Sequence, residues 1–260
     1  MEIEDTVYLY DGTLDGFCTI VYEVFRLKRI PRQIVSEEKF VGDLFSVPVF
    51  YETELKKATK VKNKLNEIGD YIYYQVYTCF LSGFEGKEKI ILDYILFSLQ
   101  VGIKIIYLKH HEIVIAMDKA IKQVQYESHR LKGFVRFQEL KNHVLYAIIE
   151  PDHHVIEFLV EHFKKRLTKE VWIIHDCARK IMAMYDGKQV YYINADNYLK
   201  ENIVFSDSEK EFQSLWSMYF KTIAIKERTN SRCQLAFMPK RYWKYLNETK
   251  EGTDYATKYN

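Results

Sequence analysis

Two short blocks of the chain hold the residue types that bind phosphates and bases. The first runs Ser128-His129-Arg130-Leu131-Lys132-Gly133-Phe134-Val135-Arg136-Phe137. Here His129, Arg130, Lys132 and Arg136 are interleaved with Phe134 and Phe137 around Gly133, a helix-weakening residue. Cations on such a surface can meet phosphates while a ring offers its face to a base. The same pattern fits two phenylalanines entering a core beneath a solvated cationic rim, so both readings stand. The second block runs Phe237-Met238-Pro239-Lys240-Arg241-Tyr242-Trp243-Lys244-Tyr245-Leu246. Pro239 suits the first position of a short helix. Trp243 and Leu246 then share one face and Tyr242 and Tyr245 another, with Lys240, Arg241 and Lys244 beside them. Docking of this helix through Trp243 is expected in either case. Its cations are the second half of the candidate phosphate surface.

Other chemistries have weaker signatures. His110-His111 and His153-His154 are adjacent pairs, and neighbouring side chains on a helix diverge by about 100°, which makes poor chelators. His175-Asp176 resembles a pair used by some metal phosphohydrolases, but no His-x-x-x-His accompanies it. Cys18, Cys79, Cys177 and Cys233 are scattered, with no Cys-x-x-Cys, and read as small core residues in a reducing compartment. No Gly-x-Ser-x-Gly is present. Tyr8 to Phe17 reads as a strand, an Asp11-Gly12 turn and a helix capped by Thr13. Helix N-termini bind anions, yet the Walker and Gly-x-Gly-x-x-Gly patterns are missing, so close β–α packing is the favoured account. The lysines at 56, 57, 60, 62 and 64 read as a solvated helix face. No metal site and no cofactor is expected of the chain itself.

These blocks must be positioned by a folded scaffold. The chain has 260 residues, 48% apolar and 28% charged, with 10 glycines and 4 prolines, which excludes disorder and low-complexity structure. A net charge of +2 means that any electrostatic footprint is local. Apolar spacing predicts a helix that follows Thr13 and stops before Pro31, then helices over 52–68, 71–81, 85–108 and from after His111 onward. Residues 36–50 read as irregular or short-stranded, with Pro48 confining any strand to an edge. A β-α-β-β-β unit follows over about 143–193, with a hairpin at Asp186-Gly187-Lys188-Gln189. Helix returns over 209–225. The expected class is α+β, a mostly antiparallel sheet with a large helical block over about 52–140, in one domain spanning 1–260. Ile90–Leu108 is apolar enough to be mistaken for a membrane span, but Asp93, Gln100 and Lys104 interrupt it, so a buried helix is expected and no membrane. Met1-Glu2-Ile3-Glu4-Asp5 does not read as a secretory leader, and the expected location is cytoplasmic.

Three blocks carry a family resemblance. Tyr10-Asp11-Gly12-Thr13-Leu14-Asp15-Gly16-Phe17, His129 to Phe137 and Met238 to Leu246 appear in that order across nearly the whole chain. Together they resemble a bacterial family associated with DNA metabolism and DNA repair, defined by a domain of unknown function. Members are typically encoded beside a radical S-adenosylmethionine (radical-SAM) protein, and some longer relatives carry a uracil-DNA-glycosylase-like domain. The resemblance implies a DNA-related role and a radical-SAM partner; it supplies no catalytic residues. The chain has no Cys-x-x-x-Cys-x-x-Cys, so cluster chemistry would come from that partner.

The resulting expectation is an accessory nucleic-acid-binding protein. It would hold DNA, single-stranded or distorted, on His129, Arg130, Lys132, Phe134, Arg136, Lys240, Arg241, Trp243 and Lys244, and present it to the partner enzyme. One alternative is a hydrolase- or glycosylase-like enzyme acting through His129, His153, His175 or Asp176. Another is a protein–protein adaptor that never touches DNA.

Overall fold

A computed structural model describes residues 1–42, 47–197, 203–228 and 230–247. By their internal contacts they form two compact units, Met1–Tyr126 and Glu127–Asn260.

The first unit opens with β1 (Glu2–Tyr10), whose last four residues are all buried. Asp11-Gly12 turns the chain, with Gly12 at φ +80°, and α1 (Leu14–Leu27) begins. The Thr13 hydroxyl accepts the Gly16 N–H at 3.0 Å, as its N-cap position requires. Lys28, in the left-handed region, ends the helix and feeds β2 (Arg29–Ser36); β3 (Val47–Phe50) follows. The strands order β2-β1-β3 and are all parallel. Helices α2 (Leu55–Ile68), α3 (Asp70–Phe80) and α4 (Lys87–Val101) come next, then a 3₁₀ stretch Gly102–Tyr107 and the start of α5 (Glu112–Phe134). Their core holds Tyr8, Tyr10, Phe17, Ile20, Leu65, Ile72, Ile91, Ile95 and Met117, together with the thiols of Cys18 and Cys79.

Lys87–Tyr107 is the one stretch among the described residues long and apolar enough to cross a membrane. It is partly buried, with Ile91, Leu92, Tyr94, Ile95 and Ile105 in the core of the first unit, as a core helix would be.

The second unit contains β4 (Gln138–Glu139), β5 (Leu145–Ile149), α6 (Ile156–Arg166), β6 (Trp172–Asp176), β7 (Ile181–Tyr185) and β8 (Val190–Asn194). The five strands lie in sequence order; β5 and β6 are parallel and the other neighbours antiparallel. Every residue of β6 is buried, and Trp172 packs against Tyr185 and Phe137. The predicted hairpin forms, with Asp186 accepting the Lys188 and Gln189 N–H groups and Gly187 at φ +90°. Helices α7 (Asp207–Ile223) and α8 (Ser231–Phe237) and a 3₁₀ turn Lys240–Tyr245 complete the unit.

The α+β class holds, but the sheets are parallel and mixed rather than mostly antiparallel. Parallel neighbours need a crossover, and α1 and α6 supply one each. Pro31 obscures β2 in the sequence, because proline cannot donate to a ladder. Its partner is Glu4, and the β1–β2 register shifts immediately afterwards, between Glu4 and Val7. Both β2 and the Pro48-containing β3 are edge strands, where such residues are tolerated. Of the stretch 36–50, residues 43–46 lie outside the described residues.

Candidate nucleic-acid interface

In the second unit, the middle and terminal blocks meet around Glu127, whose carboxylate on α5 is almost wholly buried. It accepts the backbone N–H groups of Asp152 (3.1 Å) and His153 (2.7 Å), the Tyr242 hydroxyl (2.8 Å) and the Arg241 guanidinium (2.9 Å). A buried carboxylate is tolerable only with such partners, because charge-assisted bonds replace its lost hydration. Burial, with Glu127 alongside, pushes the Tyr242 hydroxyl up to about 12. The Tyr242 ring lies 5.5 Å from that of Phe134, and both Tyr242 and Leu246 are buried. The terminal block therefore docks, but Tyr242 and Leu246 are its deepest anchors. Trp243 is only half-buried, with its indole N–H on the Met238 carbonyl at 2.8 Å.

This docking occupies several of the expected phosphate ligands. Arg241 bonds Asp152 as well as Glu127, and Lys244 bonds Glu150, which also accepts the Tyr245 hydroxyl at 2.6 Å. A phosphate would have to displace carboxylates from both cations. Arg130 donates to the Ala236 carbonyl, tying α5 to the end of α8, and Arg136 donates to the nearby Gly133 and Val135 carbonyls. His129 and Lys240 are exposed and Lys132 half-buried.

A second group of cations lies on and after α6. The last turn of α6 carries Lys164, Lys165 and Arg166, and Lys169 follows; all but the half-buried Lys164 are exposed. His162, on the same helix, is held below the usual imidazole range by burial and then by the positive charges of Lys132 and Arg166. One cation from α5 and one from α6 thus act on the same imidazole. The buried His162 Nε2 has no hydrogen-bond partner among the described residues. Glu157 and Glu161 of the same helix raise the pKa of Tyr192 on β8. Four cations within six residues are the sequence signal for this cluster, which lacks the interleaved aromatics of the other two blocks.

The histidine and carboxylate candidates fall into separate networks. His175 is buried in β6, its Nδ1 2.7 Å from the Tyr146 hydroxyl and 3.7 Å from Cys177 Sγ, and burial pushes its pKa down to about 4. Adjacent strand residues face opposite ways, and Asp176 instead accepts the Ala178 and Arg179 N–H groups and the Arg179 guanidinium. Burial raises the Asp176 pKa against the pull of Arg179. That guanidinium also holds the Pro151 and Asp152 carbonyls, tying the β5 and β6 loops together. His153 contributes its backbone N–H to Glu127. In the first unit, His111 stacks on Phe97 at 4.1 Å and accepts the Ile113 N–H near the start of α5. No group of three or more His, Cys, Asp or Glu among the described residues could hold a metal ion.

The N-terminal block is a structural knot. Asp11 accepts the Thr13 N–H and hydroxyl and the Thr53 hydroxyl at 2.7–2.9 Å. Burial would raise the Asp11 pKa, but these donated bonds outweigh it and hold it low. A Cβ on Gly16 would lie 2.2 Å from Asp11 Oδ1 and 2.9 Å from Thr53 Oγ1, so glycine is required there.

The fold defines a class, an α+β protein of two compact units, the first with a three-stranded parallel sheet and the second with a five-stranded mixed sheet. The chain belongs to the family defined by the domain of unknown function DUF4130, whose model matches residues 85–248, more than half its length. No curated protein matches it.

Proposed function

We propose that the chain is an accessory nucleic-acid-binding protein of DNA metabolism, working in the cytoplasm and holding single-stranded or distorted DNA for a radical-SAM enzyme. The supporting observation is that α5 carries Lys132 and the last turn of α6 carries Lys164, Lys165 and Arg166, within the same compact unit. Two elements then present positive charge to one region, which is what a backbone-tracking surface needs. His129, Lys164, Lys165 and Lys240 extend the candidate set. Arg241 and Lys244 serve mainly to seat the terminal block through Glu127, Asp152 and Glu150. The partner enzyme and the link to DNA metabolism rest on the family resemblance.

The test is binding of a labelled single-stranded oligonucleotide across a salt series. The triple variant Lys132→Ala/Lys165→Ala/Arg166→Ala is expected to weaken binding at least about tenfold. It should also flatten the slope of log K against log salt by roughly 2, three phosphates at about 0.7 each. Undetectable binding at low salt, or an unchanged slope, would sink the reading.

A further inference from the structure

A cavity of about 640 Å³ in the first unit is lined by β2, the turn after it and the loop between α3 and α4. That is the size of a small-molecule site, and ligands of parallel sheets collect beside the carboxyl ends of the strands. The most buried charged residue in the lining is Glu88, 8% exposed and in the first turn of α4, where the helix dipole favours its anion. Its Oε1 accepts the hydroxyl of Tyr10, the last residue of β1, at 2.9 Å. Among the described residues, its Oε2 accepts no hydrogen bond and no cation pairs with it. Buried carboxylates ordinarily have such partners, so Oε2 is left to a donor inside the cavity.

We propose that this cavity binds an aliphatic polyamine, with one ammonium group on Glu88. Charge favours such a ligand. Glu38 and Glu85 line the exposed rim, against Lys39 as the one cation among the lining residues. Lys87 and Lys89, beside Glu88 in sequence, are taken up by the Phe80 and Ser82 carbonyls and by Asp93. Carboxylates at two depths suit a chain with several ammonium groups better than a single charge. The half-buried rings of Phe40 and Phe84 line the same space, which suits methylenes and adds cation–π attraction. A hydrated metal ion would use neither ring, and no metal-binding group of side chains is assembled among the described residues. The inference stands independently of DNA binding.

Isothermal titration calorimetry of the full chain with spermidine tests it. Saturable binding at one site is expected, with a dissociation constant of about 1 mM or tighter that weakens as salt rises. Glu88→Gln keeps an oxygen for the Tyr10 hydroxyl but removes the charge, and should raise that constant at least about tenfold. Glu38→Gln/Glu85→Gln, at exposed positions, should raise it several-fold and leave the urea midpoint unchanged. No binding up to about 10 mM spermidine overturns the inference. So does binding indifferent to Glu88→Gln or, should that variant fail to fold, to the rim pair. Displacement of spermidine by Mg²⁺ at equal concentration would mark diffuse surface charge and overturn it too.

Discussion

Asp11, Thr13, Gly16 and Thr53 show how a few polar atoms fix the entry to α1. Each Asp11 oxygen already has a donor, so the side chain has nowhere to move if Gly16 gains a methyl group. Alanine would gain about 1 kcal/mol in helix propensity but would crowd or break these bonds, at about 1–3 kcal/mol each. Gly16→Ala is therefore expected to destabilise the first unit by roughly 2 kcal/mol, read as a lower urea midpoint. Part of this knot was legible in the sequence: the Asp-Gly turn and Thr13 cap are local, and close β–α packing is their ordinary consequence. Thr53 was not, because it reaches Asp11 across 42 positions. Glu127 was hidden for the same reason, since the side chains that justify its burial lie 114 and 115 residues away.

Elements placed by local signals agree with the structure to within a few residues, since caps, glycines and apolar spacing act over one or two turns. What local signals do not carry is which strands become neighbours, and so a mostly antiparallel sheet was expected where three strand pairs are parallel. The terminal 3₁₀ turn shows the same division. That it docks follows from its aromatics; that its cations face carboxylates depends on the loop after β5, which supplies Glu150 and Asp152. Glu127→Ala is expected to release this element, leaving Tyr242 and Arg241 without their shared acceptor, at about 3 kcal/mol. Hydrogen exchange over 239–246 would rise while the β5–β8 amides stay protected, and Glu127→Gln would give a smaller change. Unchanged exchange in Glu127→Ala would show that burial of Tyr242 and Leu246 alone seats the segment.

The two units should differ in their response to acid. His175 has a folded pKa of about 4 against an ordinary 6.5, so the unfolded chain binds a proton first and stability falls as pH drops from 6.5 towards 4. The full span is worth about 3 kcal/mol, and His162 acts in the same direction. Asp176, raised in the fold, works the opposite way and favours folding as pH falls through its range. In the first unit, Asp11 and Glu23 are held low, Glu23 by Arg26 and Lys57 against its burial. Their contribution is present above the ordinary carboxylate pKa and is lost only below it. Trp172, Trp216 and Trp243 all belong to the second unit, so tryptophan emission should report acid loosening between pH 6.5 and 4. His175→Gln should flatten that response; a flat profile in the unaltered protein would contradict it.

The cysteines are shared evenly, two to each unit, and differ in burial. Cys18 and Cys79 are sealed in the first core and their thiols are pushed up to about 12, whereas Cys233, in the second unit, lies open to solvent. Alkylating reagents thus meet Cys233 at the surface, the half-buried Cys177 next, and two thiols behind a closed door. The slow reaction becomes a stopwatch for breathing of exactly those helices that no indole can see.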